Sequence, residues 1–498
     1  MLGLRVSEPS ENPIVRGWGA NRRRRRRVPW PWLVAAPLAL LGVAIVLGAL
    51  KHPWRPPSGF PHFHSCTIGG EVSGWCARLS VPEDPRRPAG RTISLSLMVL
   101  PATRRPAAGA LFYLEGGPGG AATQSAIRVN ADFAEVLRDR DVVLVDQRGT
   151  GGSDALACPG SRVPASDAAA VTAYVRRCFA RLRGDPQLFT TSVAADDLEA
   201  VRRAMGYGKI DLYGGSYGAT LAQVYMQRHP SSVRRAVLDS GSLPDVRIYD
   251  ASARNAEHAL DAQLARCAAE PACHRAFPQT RQELAGLLAR PARRVTVEAG
   301  TFVVRPDDVA WTIASLSDTA DGASTIPFVI QAAARGSYVP LARAYASGVG
   351  SDLDARARLA TFWVILCSEP WARFDPVETA RLGAGSYLAH AAVARARVFR
   401  RACGAVPKGR VPRAAGVTRA PVLLLAGGAD PLDPPANLRG WRRAFPDGRL
   451  VVVPGAGHGA IDYGCVQVLV ARFVERARAG GLDAGCVHDV QLPAFMTG

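Results

Sequence analysis

The chain has 498 residues, of which 48% are hydrophobic and 21% are charged. This length predicts two domains, or one domain with a large insertion, and the composition excludes a disordered chain. The net charge of +19 raises the question of nucleic-acid binding. However, the densest basic run (22–27) directly precedes an apolar segment, and the sequence contains no zinc-finger spacing and no single-strand-binding motif. We therefore predict no nucleic-acid partner.

The N-terminal segment predicts export. Residues 28–50 follow a basic N-terminus (1–27) and contain no charged residue over 23 positions, which is enough to cross a bilayer. The positive-inside rule then leaves residues 1–27 in the cytoplasm and sends the rest across the membrane. A cleaved signal peptide is the alternative, but the run is longer than a typical signal core, which favours a membrane anchor. The proline-rich residues 51–65 predict a tether.

Ten cysteines support export, because an even number in an exported chain is typical of disulfides. Their connectivity does not follow from the sequence, and pairing between neighbours along the chain is our hypothesis. The hypothetical pairs are Cys66 with Cys76, Cys158 with Cys178, Cys267 with Cys273, Cys367 with Cys403 and Cys465 with Cys486. No CxxC pair occurs and the histidines are not interleaved at ligand spacing, so we predict no metal site.

From Cys66 onward, short apolar runs alternate with helical patterns. The run 91–102 alternates like a strand with one wetter face, whereas later runs are apolar throughout and end in glycine or polar residues. The later segments are 109–120, 140–154, 209–225, 234–244, 420–435 and 448–459. This alternation predicts a mostly parallel, doubly wound sheet with helices on both faces. Ligands of such sheets bind outside the carboxyl ends of the strands, where these glycine clusters fall.

Between these strands lies a block of different character. In residues 246–412 strand signals are absent, and Ala, Arg and Leu recur at helical spacing. A helical block inserted between two strands of one sheet predicts a cap domain over the site. The predicted catalytic domain therefore consists of two parts, 66–245 and 413–498.

The stretch KIDLYGGSYGATLAQVY (Lys209 to Tyr225) contains the candidate nucleophile, Ser216. An apolar run precedes Ser216, a helical pattern follows it, and the neighbouring glycines keep the surroundings small, as a nucleophile on a sharp strand-to-helix turn requires. A serine without a catalytic role in a glycine-rich loop is the alternative. A nucleophilic serine also needs a histidine base that is oriented by a carboxylate.

In folds of this type the acid and the histidine follow the serine, each at the end of a later strand. Asp430 follows the run PVLLLAGGA, and His458 is the one histidine of nine that directly follows a strand-like run. Asp433 and Asp239 are the alternatives to Asp430, since Asp433 is three residues further on and Asp239 ends an earlier strand. Asp433 has a second alternative role, as the N-cap of the helix predicted after it.

An oxyanion forms when a serine attacks a carbonyl, and it needs N–H donors. The amide of Tyr217, directly after the nucleophile, is one predicted donor. The loop EGGPGG (115–120) supplies the other, at Gly117 with Gly116 as the alternative, because glycines let the backbone approach a substrate closely. An ordinary surface turn is the competing interpretation of this loop.

Five motifs in this order resemble those of the α/β-hydrolase peptidases of the prolyl iminopeptidase and tripeptidyl aminopeptidase family. They are EGGPGG (115–120), DQRGTGGSD (146–154), GGSYG (214–218), ADPLDPP (429–435) and GAGHG (455–459). The C-terminal piece with Cys465 and Cys486 is similar to the C-terminal region of the tripeptidyl type. Two departures concern the substrate preference, because Glu115 stands where iminopeptidases usually have His, and Asp433 stands where related sequences often carry Thr.

The resemblance implies an α/β-hydrolase fold with an inserted helical cap and an exopeptidase that acts on a free peptide N-terminus. It also implies Ser216 as the nucleophile, Asp430 as the residue that orients the histidine, His458 as the general base, and no cofactor or metal. The expected protein is thus an exported serine aminopeptidase that works through an acyl-enzyme. An ester hydrolase with the same three residues is the first alternative, and an inactive membrane-anchored binding protein is the second.

An aminopeptidase must also recognise a positively charged α-amino group, which calls for carboxylates near the site. Glu369, in the cap motif ILCSEPW, and Glu115 are the candidates. For Glu369, a solvated glutamate at a helix end is the alternative. In the motif DQRG, Asp146 and Arg148 are predicted to brace their loop through an internal ion pair, and contact with the substrate is the alternative.

Overall fold

The computed structural model describes Trp54, Pro56 and residues 62–158, 167–347, 359–411, 419–476 and 478–497. The predicted basic N-terminus (1–27) and the predicted anchor (28–50) lie outside these residues. Among the helices in the described ranges, none is both long and apolar enough to cross a membrane.

Eleven strands occur in the described residues. They are β1 (His64–Ile68), β2 (Val72–Pro82), β3 (Thr92–Leu100), β4 (Ala110–Leu114), β5 (Asp141–Val145), β6 (Ile210–Gly215), β7 (Val233–Asp239), β8 (Arg293–Val297), β9 (Gly300–Val304), β10 (Val422–Gly427) and β11 (Gly448–Val453). Nine of them form one sheet in the order β1-β2-β3-β5-β4-β6-β7-β10-β11. The first three strands and β5 pair antiparallel, and the six strands from β5 to β11 pair parallel. The predicted mostly parallel sheet is confirmed.

The parallel strands are buried because helices cover both faces of the sheet. The described α-helices are α1 (Ala126–Asp132), α2 (Ala168–Phe179), α3 (Thr191–Ala204), α4 (Tyr217–Arg228), α5 (Ser252–Ala269), α6 (Pro271–Ala276), α7 (Thr280–Leu288), α8 (Pro306–Leu316), α9 (Ala320–Ala334), α10 (Val339–Ser347), α11 (Ala360–Ser368), α12 (Pro376–Leu382), α13 (Ala389–Cys403), α14 (Trp441–Ala444) and α15 (Gly464–Glu475). Helices α3 and α4 pack on one face, and α1 and α15 pack on the other. Every residue of β4, β5 and β10 is consequently buried, which explains their continuous apolar runs.

Helices α5 to α13 lie between β7 and β10 in the chain and form the described part of the insertion. The expectation that this region lacks strands is wrong at β8 and β9, which pair antiparallel as a short hairpin. Val295 and Val304 of the hairpin are buried in a cluster with the helices of the insertion. Each strand has only five residues, so its period of two is too brief to stand out among the surrounding helical patterns.

The N-terminal edge of the sheet extends into the predicted tether. Strand β1 begins at His64, and the ring centroid of Trp54 lies 5.3 Å from that of Trp75 in β2 and 5.0 Å from that of Phe63. The tether prediction is therefore wrong for these residues. Their aromatic rings pack against the edge of the core.

All ten cysteines form disulfides, in the five pairs that neighbour one another along the chain. The hypothesis of sequential pairing is confirmed. Cys66–Cys76 joins β1 to β2, whereas Cys367–Cys403 joins the end of α11 to the end of α13 in the insertion.

Candidate active site

Ser216 lies on the turn between β6 and α4, at the carboxyl edge of the sheet. Its backbone has φ +55° and ψ −124°, a conformation that side-chain-bearing residues rarely adopt. Two glycines make the turn possible, because a Cβ on Gly214 would overlap the Gly218 carbonyl and a Cβ on Gly218 would overlap the Leu114 carbonyl. The structure thus has the sharp strand-to-helix turn that the motif predicts.

His458 and Asp430 lie in neighbouring loops, after β11 and β10. His458 Nδ1 is 2.9 Å from Asp430 Oδ2, and the Asp430 side chain is fully buried whereas that of His458 is 17% exposed. The other carboxylate oxygen, Oδ1, accepts hydrogen bonds from the amides of Leu432 (2.8 Å) and Asp433 (2.9 Å). The backbone therefore holds the carboxylate in place, with one oxygen turned to the imidazole.

The charges around His458 favour its protonated form. Burial by itself lowers the pKa of His458, but the charge and hydrogen bond of Asp430 outweigh burial, with further contributions from Asp433 and Asp318. The pKa of His458 is therefore raised above the ordinary value for histidine. An imidazole in this environment is a strong base, and its protonated form is stabilised once it has accepted a proton.

The two alternative aspartates have other partners. The Asp239 carboxylate accepts hydrogen bonds from the Ala460 and Ile461 amides, each at 2.9 Å, and from the Tyr213 hydroxyl at 2.8 Å. Asp239 thus anchors the loop that follows His458.

Asp433 accepts a hydrogen bond from the Ser242 hydroxyl, and burial together with the charge of Asp430 raises the pKa of Asp433 to about 6. It caps no helix, since the next helical turn, Pro435–Leu438, has Pro434 at its N-cap. The predicted N-cap role of Asp433 is therefore wrong, because the side chain is buried against Ser242.

The end of β7 joins the turn at Ser216 to the loop that carries His458. The Asp239 carbonyl accepts the Ser216 amide at 2.8 Å, while the Ser240 hydroxyl accepts the Gly459 amide at 2.8 Å. Ser216 and His458 are therefore anchored on adjacent residues of one strand end. No direct hydrogen bond joins the Ser216 hydroxyl to the His458 ring among the hydrogen bonds of the described residues.

The insertion contacts the histidine loop directly. The His458 amide donates a hydrogen bond of 2.7 Å to the carbonyl of Asp318, which follows α8. Gly457 allows this approach, since a Cβ there would lie 2.5 Å from the same carbonyl oxygen. Asp318 could not be predicted from the sequence, because a contact through a main-chain carbonyl does not depend on the type of side chain.

The loop 115–120 faces Ser216. A Cβ on Gly116 would lie 3.3 Å from the Ser216 Cβ. The Gly116 amide donates to the Glu115 side chain at 2.9 Å, which favours the neighbouring Gly117 amide as the oxyanion donor. The Tyr217 amide belongs to the first turn of α4, where amides have no acceptor within the helix. Both predicted donors thus lie on segments next to Ser216.

The Glu115 carboxylate is engaged within its own loop region. Besides the Gly116 amide, it accepts hydrogen bonds from the Ser125 hydroxyl and from the Tyr113 hydroxyl (3.3 Å), and Arg128 lies 3.8 Å away. Its side chain is 18% exposed. Glu115 therefore braces the predicted oxyanion loop while keeping some contact with solvent.

Glu369 directly follows α11 in the insertion and is only 3% exposed. Its carboxylate accepts hydrogen bonds from the Thr191 amide at 3.0 Å and the Trp371 indole at 2.7 Å, and burial raises the pKa of Glu369. The alternative of a solvated glutamate is wrong. Glu369 borders a cleft of about 550 Å³ whose lining includes Arg373 and Arg400.

Asp146 and Arg148 brace their loop separately. Asp146 accepts hydrogen bonds from the Thr123 amide (2.9 Å) and the Gly152 amide (2.8 Å), whereas Arg148 forms two hydrogen bonds of 2.6 Å with Asp197 of α3. The predicted ion pair between Asp146 and Arg148 is wrong. Asp146 binds the main chain of Thr123 and Gly152, whereas Arg148 is longer and reaches a carboxylate on α3.

The described residues contain no group of three or more His, Cys, Asp or Glu side chains that could hold a metal ion. The site itself contains a serine in a strained turn, a histidine and a buried aspartate, at the carboxyl edge of a parallel sheet. An α/β fold with these groups in this chain order defines a class of hydrolytic enzymes.

Comparison with known proteins agrees with this class. The model of the alpha/beta hydrolase fold matches residues 109–464, and the chain belongs to that family. The chain is 33% identical over 186 residues to the tripeptidyl aminopeptidase of Streptomyces lividans, which covers 33% of this chain and 35% of that protein. It is 28% identical over 275 residues to the serine protease Hip1 of Mycobacterium tuberculosis, which covers 49% and 52%.

A third relative is the proline iminopeptidase of Neisseria gonorrhoeae, 34% identical over 129 residues, which covers 26% of this chain and 31% of that protein. The matched segments thus span about a third to a half of the length of these relatives. The predicted similarity to prolyl and tripeptidyl aminopeptidases is confirmed.

Proposed function

We propose that this chain is a serine hydrolase that releases residues from peptides with a free N-terminus. The observation that carries the proposal is the 2.9 Å hydrogen bond between His458 and the buried Asp430, anchored on the strand end that also holds the strained Ser216. A buried carboxylate that orients an imidazole, on a loop anchored at the same strand end as a serine on a sharp turn, fits what acyl transfer requires.

In the proposed reaction, Ser216 Oγ attacks the carbonyl carbon of the scissile bond and His458 takes the hydroxyl proton through Nε2. The Tyr217 and Gly117 amides stabilise the oxyanion of the tetrahedral intermediate. Its collapse breaks the C–N bond, His458 gives its proton to the leaving amine, and an acyl-enzyme remains. Water then loses a proton to His458, attacks the acyl carbon and releases Ser216 with its proton restored.

Asp430 serves this cycle by holding the imidazole with Nδ1 toward the carboxylate, so that Nε2 is available to the serine. The raised pKa of His458 is consistent with this role, because it reflects stabilisation of the imidazolium that forms in each half of the reaction. No metal or organic cofactor takes part in the proposed chemistry.

The names of the relatives support an aminopeptidase within the hydrolases. Such an enzyme needs a carboxylate for the substrate α-ammonium group. Of the two predicted candidates, Glu115 is adjacent to Gly116, which faces Ser216, and is 18% exposed, whereas Glu369 is 3% exposed. We therefore assign the α-ammonium group to Glu115 in this proposal.

We further propose that the catalytic part acts outside the cytoplasm. Five disulfides support this location, because they persist in oxidising compartments and are rare in the cytosol. Attachment to a membrane through residues 28–50 stays a prediction from the sequence.

The purified full chain, with Ser216→Ala as the variant and Ser347→Ala as the control, tests the proposal. Ser347 is exposed in the insertion, so a fluorophosphonate should label the wild type and the control but not Ser216→Ala. Matched peptides with free and N-acetylated termini are then incubated with the enzyme, and the products are read by mass. Equal cleavage of acetylated peptides would remove the aminopeptidase assignment, and the absence of both labelling and cleavage would remove the hydrolase.

A further inference from the structure

The side chain of Tyr217, the residue after the proposed nucleophile, is held by contacts at its hydroxyl and at its ring. These contacts together are called the clamp. Its hydroxyl lies 2.8 Å from the Thr191 hydroxyl and accepts a hydrogen bond from the Gln147 amide at 3.0 Å. Only 4% of Tyr217 is exposed, and its ring centroid is 6.0 Å from that of Trp371. Hydrogen bonds and packing therefore hold the aromatic ring in one orientation.

Glu369 completes this clamp from the insertion. Its two carboxylate oxygens accept hydrogen bonds from the Thr191 amide (3.0 Å) and the Trp371 indole (2.7 Å), which are the two neighbours of the Tyr217 side chain. Thr191 is the first residue of α3, where a negative charge is favourable because helix N-termini are positive. Through Thr191 and Trp371, Glu369 thus holds Tyr217 although it does not touch it.

The direction of the Tyr217 amide depends on this arrangement. The amide lies in the peptide plane between Ser216 and Tyr217, and Ser216 is held in a strained conformation that persists only when its surroundings enforce it. Fixing the Tyr217 side chain restrains the Tyr217 Cα, and the amide nitrogen is bonded to that atom. A displacement of 1 Å at such a donor is enough to lower a rate about a hundredfold.

Glu369 is poorly suited to bind a substrate amino group itself. The residue is only 3% exposed, so its carboxylate is out of reach of a substrate in solution. The cleft beside it is also lined by more basic than acidic side chains, so its net charge repels an ammonium group. The basic residues are Arg247, Arg373, Arg400 and Lys408, and the other acidic residue is Asp375.

We propose that Glu369 is a positioning residue that holds the Tyr217 amide in place through Thr191 and Trp371, and so links the insertion to the oxyanion hole. This inference rests on the proposed function, because it assigns Glu369 a part in the oxyanion hole that the proposed reaction needs. It also predicts that the rate of acyl transfer depends on Glu369 for every substrate, whether or not the substrate has an amino group.

The test compares Glu369→Gln with Glu298→Gln, an exposed glutamate at the hairpin turn of the insertion. Glutamine keeps the size of the side chain, but its NH₂ group must face one of the two N–H donors that the carboxylate accepts. Two substrates are used, an aryl acetate without an amino group and a peptide with a free N-terminus. We expect kcat to fall at least about tenfold for both substrates in Glu369→Gln with KM within about twofold, and no change in Glu298→Gln.

Tyr217→Phe provides a second route that keeps the carboxylate and removes only the clamped hydroxyl. We expect a similar loss of kcat, and the double variant with Glu369→Gln should lose little more than either single variant, because both act through one clamp. Thermal unfolding of each variant controls for folding, and if Glu369→Gln does not fold, Tyr217→Phe and Thr191→Val carry the test.

The outcomes separate the two proposals. If Glu369→Gln raises KM for the free peptide and leaves the aryl acetate unaffected, Glu369 binds the amino group. If Glu369→Gln hydrolyses the aryl acetate at the wild-type rate, the positioning role is overturned. Absence of aryl acetate hydrolysis and of fluorophosphonate labelling in the wild type would instead overturn the proposed function, and the positioning role with it.

Discussion

The carboxyl edge of the sheet and the insertion contribute to the site in different ways. At the sheet edge, Ser216, Asp430 and His458 each lie within a few residues of a strand end, and main-chain amides hold their loops. In the insertion, Asp318 and Glu369 follow helices that are far apart in the chain. The Asp318 carbonyl accepts the His458 amide, and Glu369 binds the Thr191 amide, whose residue contacts Tyr217.

The two regions therefore have different roles in the site that we propose. The sheet edge holds the chemical groups, because parallel strands place their carboxyl ends side by side. The insertion restrains the loops around these groups. Asp318 binds the His458 amide, and Glu369 binds Thr191, whose hydroxyl contacts the Tyr217 hydroxyl. Substitutions at the edge should therefore abolish the chemistry, whereas substitutions in the insertion should slow it.

The largest effect is expected at Asp430, and Asp239 is the matched comparison at the same edge of the sheet. Asp430→Asn should lower kcat about ten-thousandfold, since an amide fails to hold the imidazole in the tautomer that the reaction needs. Asp239→Asn should lower kcat by about a hundredfold or less, because Asp239 anchors the His458 loop and does not contact the ring. Steady-state rates on one ester measure both, and equal losses would contradict the assignment of Asp430.

Disulfides allow the stability of the sheet and that of the insertion to be compared through the free energy of unfolding. Cys367–Cys403 closes a segment with a sequence separation of 36, and Cys66–Cys76 closes one of 10. Loop entropy then predicts that replacing the first pair by serine costs about 4 kcal/mol and replacing the second about 3 kcal/mol. Urea unfolding of the two double variants checks the order, and a greater loss for the Cys66–Cys76 pair would contradict it.

Gly457→Ala tests the contact between the insertion and the histidine loop. A Cβ at this position would press on the Asp318 carbonyl, so we expect a destabilisation of about 1–3 kcal/mol together with slower hydrolysis. Gly464→Ala is the matched control, because a Cβ there meets no atom within 4 Å. Thermal unfolding and kcat are measured together, and a stable variant with full activity would argue against a tight contact at Asp318.

The smallest effect concerns pH. In the proposed reaction the neutral form of His458 is the base, so activity should fall as the pH drops through the pKa of His458, with a midpoint above about 6.5 because the surrounding carboxylates raise that pKa. Asp433→Asn removes one of these charges and should move the midpoint to lower pH. The pKa of Asp433 is itself raised to about 6, so the shift should fade below that pH. A profile of kcat/KM against pH that is the same in both proteins would contradict this coupling.

Much of the sheet edge could be predicted from local patterns. A parallel strand buried on both faces reads as a continuous apolar run, and a strained turn demands glycines at Gly214 and Gly218, so strand ends and the turn at Ser216 are visible in the sequence. The partners of ionic side chains could not be predicted in this way. Arg148 pairs with Asp197, 49 positions away in the chain, and the motif DQRG does not indicate which residue will be its partner.

By itself, the amino-acid sequence determined the parallel sheet, the helical character of most of the insertion, the sharp turn at Ser216, and the strand ends that carry Asp430 and His458. These features follow from burial and backbone geometry over a few consecutive residues. Only the tertiary structure decided that Asp430 contacts the histidine while Asp239 binds amides, and that Glu369 is buried behind Tyr217. These choices depend on distances between segments remote in sequence, which packing brings together and local patterns do not encode.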